Sequence, residues 1–302
     1  MLTWIPISLA AATAQTVRFM LQKHLKSTRL STAGATFSRF VYSAPLVAVV
    51  FYVFAQVSGQ ALPATSAQFW VFSLGGGLAQ ILATLCVVAL FAQRNFAVGI
   101  TFKKTEVLQS AIVGFLVLGD RLSMAGTVAI LVGFVAVLLL ADPPKSQQSR
   151  AGWRRFFNRA AGLGLLSGVL FGISAVGYRG ASLGLEGGSV ALRAGFTLMV
   201  VTASQSSAMA LWLLVRDRGE ILAVLRAWRV AALVGIMSMV GSFLWFVAFT
   251  LQNAAYVKAV GQVELVFSVL ASVLFFKEKI SRRELAGIGL LLISILGLVL
   301  TL

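Results

Sequence analysis

The chain of 302 residues is 59% hydrophobic and only 11% charged, and its mean hydropathy is +0.94. A soluble domain is about 25% charged, so this composition excludes a large soluble core and indicates a polytopic membrane protein. The net charge of +16 does not indicate nucleic-acid binding, because the basic residues cluster in short loops between apolar runs.

Ten apolar windows are long enough to cross a bilayer as helices, which takes roughly 20 residues each. In chain order they cover residues 4–22, 33–56, 68–92, 96–118, 124–141, 161–182, 189–215, 229–251, 255–276 and 285–302. The first window has no basic residue before it, so we expect a permanent helix there and not a cleaved signal peptide. The predicted fold class is therefore an all-α membrane protein with ten transmembrane helices.

The longest polar connection, residues 142–159, separates two sets of five windows. We predict a first five-helix repeat over residues 1–141, a cytoplasmic linker over 142–159 and a second five-helix repeat over 160–302. With ten spans, the loops on one side of the membrane hold 17 lysines and arginines, and the side with the termini holds one, Arg121. The positive-inside rule then predicts that the basic loops are cytoplasmic and both termini lie outside.

Two segments of the chain align without gaps at an offset of 158 residues: "LFAQRNFAVGITFKKTEVLQSAIVGFLVLGDRLS" (90–123) and "AFTLQNAAYVKAVGQVELVFSVLASVLFFKEKIS" (248–281). Glu106 aligns with Glu264 and Asn95 with Asn253, and these residue types are rare in this chain. Each half has five spans, an odd number, so the second half is expected to cross the membrane in the opposite orientation. Inverted repeats are typical of secondary transporters, whose substrate site lies near the bilayer midplane between the repeats.

These blocks resemble those of the drug/metabolite transporter superfamily, specifically of proteins with two EamA-type repeats. The resemblance rests on the order "E…GDRLS" and "E…KEKIS" in the two halves, on the arginines early in the second span of each half (Arg39 and Arg193), and on Gly-rich last helices. Within the superfamily the chain is most similar to YddG-type exporters of aromatic and other apolar amino acids. One departure is that Val107 and Leu265 stand where many EamA repeats have a proline, which leaves open whether the helix breaks there.

The resemblance implies a fold and a way of working. The two repeats would enclose a central cavity between spans 1, 3, 4, 6, 8 and 9, open alternately to each side of the membrane. The protein would then be a multi-pass protein of the bacterial inner membrane with periplasmic termini, and it would export its substrate.

Charged side chains inside the predicted spans are candidates for function, because each is unfavourable by about 2.5–3.5 kcal/mol or more at a helix centre. Lys103 lies three residues before Glu106, so we expect the two to pair. The side chain of Lys104 points about 100° away from that of Lys103 around the helix axis. It either reaches the cytoplasmic interface or lines the substrate path. Glu106 and Glu264 either tie neighbouring helices together or serve as a charge relay or amino-group ligand. Lys258 has no acidic residue three or four positions away, so we expect it to be unpaired and to bind a substrate carboxylate.

Polar and small residues in the other spans complete the predicted site. Arg39 and Arg193 are expected to lock helices together or to reach the interface. An apolar wall with a few polar anchors suits a small amphiphile. The residues predicted to line it with Lys258 and Lys104 are Gln15, Gln80, Thr84, Ser242 and Trp245.

Other function classes have little support in the sequence. The only histidine, His24, has no metal-ligand or nucleophile companion, and Cys86 is the only cysteine. No HExxH, GxSxG or Walker A pattern occurs, so we expect no enzyme, metal or cofactor. The expected partners are a small-molecule substrate, foremost amino acids, and the lipid bilayer, with no nucleic acid and with the monomer as the functional unit. The alternatives are an exporter of drugs or organic cations, a channel or a membrane scaffold.

Overall fold

The computed structural model of the protein describes residues 3–93, 99–101, 103, 106, 109, 124–141, 159–252 and 254–299. Nearly all of these residues are helical, and none lies in a β-strand. The helices are α1 (Trp4–Thr28), α2 (Thr32–Ser58), α3 (Ala67–Phe91), α4 (Met124–Ala141), α5 (Arg159–Leu183), α6 (Val190–Arg216), α7 (Arg218–Arg226), α8 (Trp228–Leu251), α9 (Ala254–Val260), α10 (Val263–Leu270) and α11 (Arg282–Val299). A π-helical segment, Ala271–Phe275, follows α10 directly.

Five of these helices, α2, α3, α5, α6 and α8, are long and apolar enough to cross a membrane. Their outward faces carry large exposed apolar side chains, such as Val57 (82% exposed) and Val71 (71%), which suit lipid and not water. The all-α class and the multi-pass membrane character are therefore confirmed. The count of ten spans stays a prediction, because most of the fourth span lies outside the described residues. The predicted linker, apart from Arg159, also lies outside them.

Helices from the two predicted halves pack against each other in a reciprocal way. The third helix of the first half, α3, lies antiparallel along α5, and α1 lies along α8. Small residues permit both contacts: a Cβ on Gly177 would lie 3.0 Å from the carbonyl oxygen of Phe72, and one on Gly241 would lie 3.3 Å from Cβ of Ala14. The first helix of each half therefore packs on the third helix of the other.

The starts of α2 and α6 are held in matching ways. Ser31 caps α2 and Ser189 caps α6, each through its hydroxyl oxygen. The backbone N–H of Ser31 donates to Oε1 of Glu220 at 2.7 Å, and that of Ser189 donates to Oε1 of Gln60 at 2.8 Å. Glu220, in the helix that follows α6, therefore holds the start of α2. Gln60, in the segment that follows α2, holds the start of α6.

One end of the bundle, where α1 ends and α2 begins, is rich in exposed basic side chains, and we call it the basic end. These side chains are Arg29, Arg159, Arg226, Arg229 and Lys277. Lys23 of α1 forms an ion pair there with Glu278, which lies between the π-helical segment and α11. Nζ of Lys23 also lies 4.6 Å from the ring centroid of Phe276. The location of this end in the cytoplasm stays a prediction.

Candidate functional site

Two ion pairs cross between the fourth and the ninth predicted span. Nζ of Lys258 donates to Oε1 of Glu106 at 3.2 Å, and Nζ of Lys103 donates to Oε2 of Glu264 at 3.2 Å. All four residues are at most 8% exposed. We call Lys103, Glu106, Lys258 and Glu264 the charge quartet. Each aligned glutamate therefore binds a lysine of the other half, and the quartet has no net formal charge.

An interruption of the ninth span shapes the quartet. Helix α9, which carries Lys258, ends at Val260, and α10, which carries Glu264, begins at Val263. The side-chain amide of Gln262 donates to the carbonyl oxygen of Lys258 at 2.8 Å and so satisfies a backbone acceptor at the break. The helix thus breaks at Gly261–Gln262 although Leu265, and not a proline, follows Glu264.

An aromatic ring lies close against the backbone at this break. A Cβ on Gly261 would lie 2.6 Å from Cη2 of Trp245, closer than carbon atoms approach without a shift. The eighth span therefore packs directly on the backbone where the ninth is interrupted.

Both lysines have partners that local helical spacing does not predict. Lys258 was expected to be unpaired, and this is wrong, because it pairs with Glu106 from a position 152 residues away in the chain. Lys103 donates to Glu264, 161 residues away, and its expected pairing with Glu106 stays a prediction. Packing of the fourth span against the ninth brings these side chains together, and helical spacing alone does not reveal it. Lys104 lies outside the described residues.

Aromatic rings surround the two ammonium groups. Nζ of Lys103 lies 5.3 Å from the ring centroid of Phe19 and 5.1 Å from that of Phe171. Nζ of Lys258 lies 6.0 Å from the centroid of Phe171, 5.3 Å from that of Trp245 and 5.6 Å from that of Phe249. Trp245 and Phe249 are stacked, with centroids 5.7 Å apart. The rings supply both cation–π attraction and an apolar wall.

Gln15 of α1 extends the quartet toward the first span. Its amide nitrogen donates to Oε2 of Glu264 at 2.9 Å, the same oxygen that accepts from Lys103. Gln15 is 8% exposed and Glu264 is fully buried. The sequence therefore identified a residue that lies at the quartet.

Arg39 joins three helices at a separate buried cluster. Its Nη1 donates to Oγ1 of Thr84 at 2.9 Å, its Nε donates to Oγ of Ser238 at 3.1 Å, and its Nη2 lies 3.5 Å from Oγ of Ser242. The arginine is 3% exposed, so it connects α2, α3 and α8 and does not reach the interface. Thr84 and Ser242, predicted as substrate-binding residues, here serve as acceptors for Arg39.

Gln80 belongs to a third cluster, and Arg193 lies at the other end of the bundle. The amide nitrogen of Gln205 lies 3.0 Å from Oε1 of Gln80, 2.9 Å from the carbonyl oxygen of Gly77 and 3.2 Å from Oη of Tyr178. Sequence reasoning missed Gln205, since a single polar residue in an apolar window gives only a weak signal. Arg193, half-buried, lies in the first turn of α6 next to its cap.

Two buried polar atoms beside the quartet have no hydrogen-bond partner in the described part of the chain. They are the indole Nε1–H of Trp245, a donor, and Oε1 of Gln262, an acceptor. Their residues are 6% and 2% exposed. Buried polar groups are normally hydrogen-bonded, so this pair leaves one donor and one acceptor for a bound molecule or for water. Sequence reasoning did not identify Gln262.

Comparisons with known proteins agree with this architecture. Residues 158–300 match the model of the EamA-like transporter family, so the second half of the chain carries an EamA-like domain. No curated protein matches the chain in sequence. A solved structure, described only as "Crystal structure of protein", is similar over 99% of this chain and 96% of its own, with a TM-score of 0.64 and 15% sequence identity. That likeness shows the fold alone.

Proposed function

We propose that the protein is a secondary transporter that exports small amphiphiles, foremost aromatic and other apolar amino acids, by alternating access at the charge quartet. The observation that carries this proposal is the pair of reciprocal ion pairs, Lys258–Glu106 and Lys103–Glu264, between the two halves. The EamA-like domain over residues 158–300 supports a membrane transporter of this type.

The charge balance of the quartet suits a zwitterion. A buried ion that loses its partner is strongly unfavourable, so a ligand that separates an ion pair must replace both charges. The ammonium and carboxylate groups of an amino acid supply this replacement, with the carboxylate on Lys258 and the ammonium on Glu106. The site then stays neutral with and without substrate, and neither state leaves an isolated charge in the low-dielectric interior.

The surroundings of Lys258 suit an apolar side chain on that zwitterion. Trp245 and Phe249 offer stacked rings, and Phe171 lies on the side toward Lys103. The N–H of Trp245 and the side-chain oxygen of Gln262, which have no partner among the described residues, add one donor and one acceptor. Such a mixture of aromatic wall and few polar anchors is typical of small-molecule sites.

The placement of the ion pairs supports alternating access. Each pair joins the halves, so rocking one half against the other changes the separation of its partners. Substrate that takes over these contacts lowers the free energy needed to separate the halves. We place the basic end in the cytoplasm and the protein in a bacterial inner membrane, and we propose that the substrate moves outward from the basic end.

Transport into proteoliposomes tests the proposal. We expect uptake of radiolabelled phenylalanine or leucine above that of empty liposomes, in competition with other apolar amino acids and with less effect from acidic ones. The assay is run with and without a pH gradient to identify proton coupling. The proposal is wrong if no small solute in the panel moves, and the role of Lys258 is wrong if Lys258→Ala leaves uptake unchanged.

An exporter of organic cations is the second candidate. The observation that favours it is the set of aromatic rings within 5.1 to 6.0 Å of the two ammonium groups, because such rings also bind a ligand cation. An amine that has no carboxylate distinguishes the two functions. We expect phenethylamine to compete poorly with phenylalanine, and strong competition supports the cation exporter instead.

A further inference from the structure

Helix α7 connects α6 to α8 at the basic end and fixes one of its faces on the protein. Val224 on this face is fully buried in a core with residues of α1 and α2. The carbonyl oxygen of Val224 accepts a hydrogen bond from Oη of Tyr42 at 3.3 Å, and Oε1 of Glu220 accepts from the N–H of Ser31. The helix therefore has a definite orientation about its own axis.

The opposite face of α7 is exposed and combines arginine with leucine. Leu222 and Leu225 are 47% and 49% exposed. Arg218 and Arg226 lie four residues before and after Leu222, which places them on the same side of the helix. Both arginines are exposed as well.

The start of α8 continues this surface. Trp228 is 59% exposed, and the guanidinium carbon of Arg229 lies 5.9 Å from its ring centroid. We call the six residues of this surface the arginine–leucine face: Arg218, Leu222, Leu225, Arg226, Trp228 and Arg229. Exposed leucine and tryptophan beside arginine is the composition of a helix that lies at a membrane surface.

The two acidic residues of this segment have roles inside the fold. Oδ1 of Asp217 accepts from the N–H of Glu220 at 3.3 Å and caps α7. Glu220 in turn accepts from Ser31. The arginine–leucine face itself carries three positive charges and no carboxylate.

We propose that the arginine–leucine face binds the phosphate headgroups of anionic phospholipids in the leaflet at the basic end. Guanidinium groups match phosphate oxygens in geometry and charge, and the leucines and the indole enter the boundary between headgroups and acyl chains. Because Glu220 of α7 also accepts from the N–H of Ser31 at the start of α2, bound lipid stabilises this hydrogen bond. The inference does not depend on which substrate the protein carries.

Fluorescence quenching of Trp228 by brominated lipids tests the proposal. The purified protein is reconstituted in phosphatidylcholine bilayers that contain the same minor fraction of brominated phosphatidylglycerol or of brominated phosphatidylcholine. The contribution of Trp228 is the difference between the wild type and Trp228→Phe. We expect an apparent affinity for the anionic lipid at least about two-fold higher than for the zwitterionic one, lowered by added salt.

Variants and a soluble headgroup identify the source of the preference. Arg226→Gln/Arg229→Gln is expected to bind the two lipids equally, whereas the matched control Arg159→Gln, an exposed arginine at the start of α5, retains the preference. Soluble glycerol phosphate is expected not to compete, because it lacks the acyl chains that the leucines contact. Equal quenching of the wild type by both lipids overturns the proposal, as does a preference that salt leaves unchanged. The salt titration uses the wild type alone, so it decides the matter even where the double variant does not fold.

Discussion

Lys258 donates to Glu106 across 152 residues of sequence, and the aligned Glu264 accepts from Lys103 in the matching contact. The two glutamates occupy equivalent places in the two halves, but the two lysines do not: Lys103 lies three residues before its local glutamate and Lys258 lies six before. The symmetry of these two contacts therefore lies in the pairing of each glutamate with a lysine of the other predicted half, and not in the spacing of the residues.

Removal of one member of an ion pair should destabilise the protein more than removal of both. Lys258→Met leaves Glu106 buried without this partner, and we expect the free energy of unfolding to fall by about 3–5 kcal/mol. Lys258→Met/Glu106→Gln should regain part of that loss. Thermal melting in detergent measures both, and the exposed Lys277→Met is the control, expected to change stability by less than about 0.5 kcal/mol. The pairing is contradicted if the stability loss of the double variant equals the sum of the losses of Lys258→Met and Glu106→Gln measured singly.

The hydroxyl groups around Arg39 should affect stability in the order of their hydrogen-bond lengths. Thr84→Val keeps the side-chain shape and removes the acceptor at 2.9 Å, so we expect a loss of about 1.5–3 kcal/mol. Ser242→Ala removes the longer contact at 3.5 Å and should lower stability less. Melting temperature and the KM for transport are measured together.

A binding role for the same hydroxyls gives a different result. If Thr84 contacts substrate, Thr84→Val raises KM at unchanged melting temperature, and the assignment to Arg39 fails. Thr13→Val is a suitable control, because Thr13 is exposed and its hydroxyl donates to the carbonyl oxygen of Leu9 in its own helix.

Gly261 should not tolerate even alanine unless Trp245 becomes smaller. The added methyl group would lie 2.6 Å from Cη2 of Trp245, and overpacking of this kind lowers stability by about 1–3 kcal/mol. We expect Gly261→Ala to lower the melting temperature and the transport rate, and Trp245→Phe to recover part of the melting temperature in the double variant. Gly289→Ala is the control, because a Cβ there meets no atom of the described residues within 4 Å. Equal effects at Gly261 and Gly289 contradict the close contact.

The ion pair at the basic end should survive an exchange of its charges. Lys23→Glu places two carboxylates together and Glu278→Lys places two amines together, so each single variant should be less stable than the wild type. The double variant restores opposite charges, with a coupling of about 0.5–3 kcal/mol in a double-mutant cycle. Melting temperature measures the coupling, and initial transport rate reports whether this end must open. Arg29→Glu, a reversal at an exposed side chain of the same end, is the control, and a double variant no better than the singles contradicts the pairing.

Much of the architecture was predictable from the sequence because lipid imposes simple rules. Windows of apolar residues predict spans, since an exposed backbone is not tolerated in hydrocarbon. Charged residues inside such windows are rare and unfavourable, so the sequence alone marks Lys103, Glu106, Lys258 and Glu264 as candidates. The aligned glutamates also predicted that the two halves contribute equivalent positions.

Only the tertiary structure decided which groups meet. Local spacing does not reveal the contact of Lys103 with Glu264, which arises from the packing of the fourth span against the interrupted ninth. The sequence likewise did not reveal that Thr84, predicted to bind substrate, accepts a hydrogen bond from Arg39 of another helix. The sequence by itself determined which side chains cannot face lipid, because that depends on their chemistry alone. Their partners depend on distances between helices that are remote in the chain, and those distances exist only once the helices have packed.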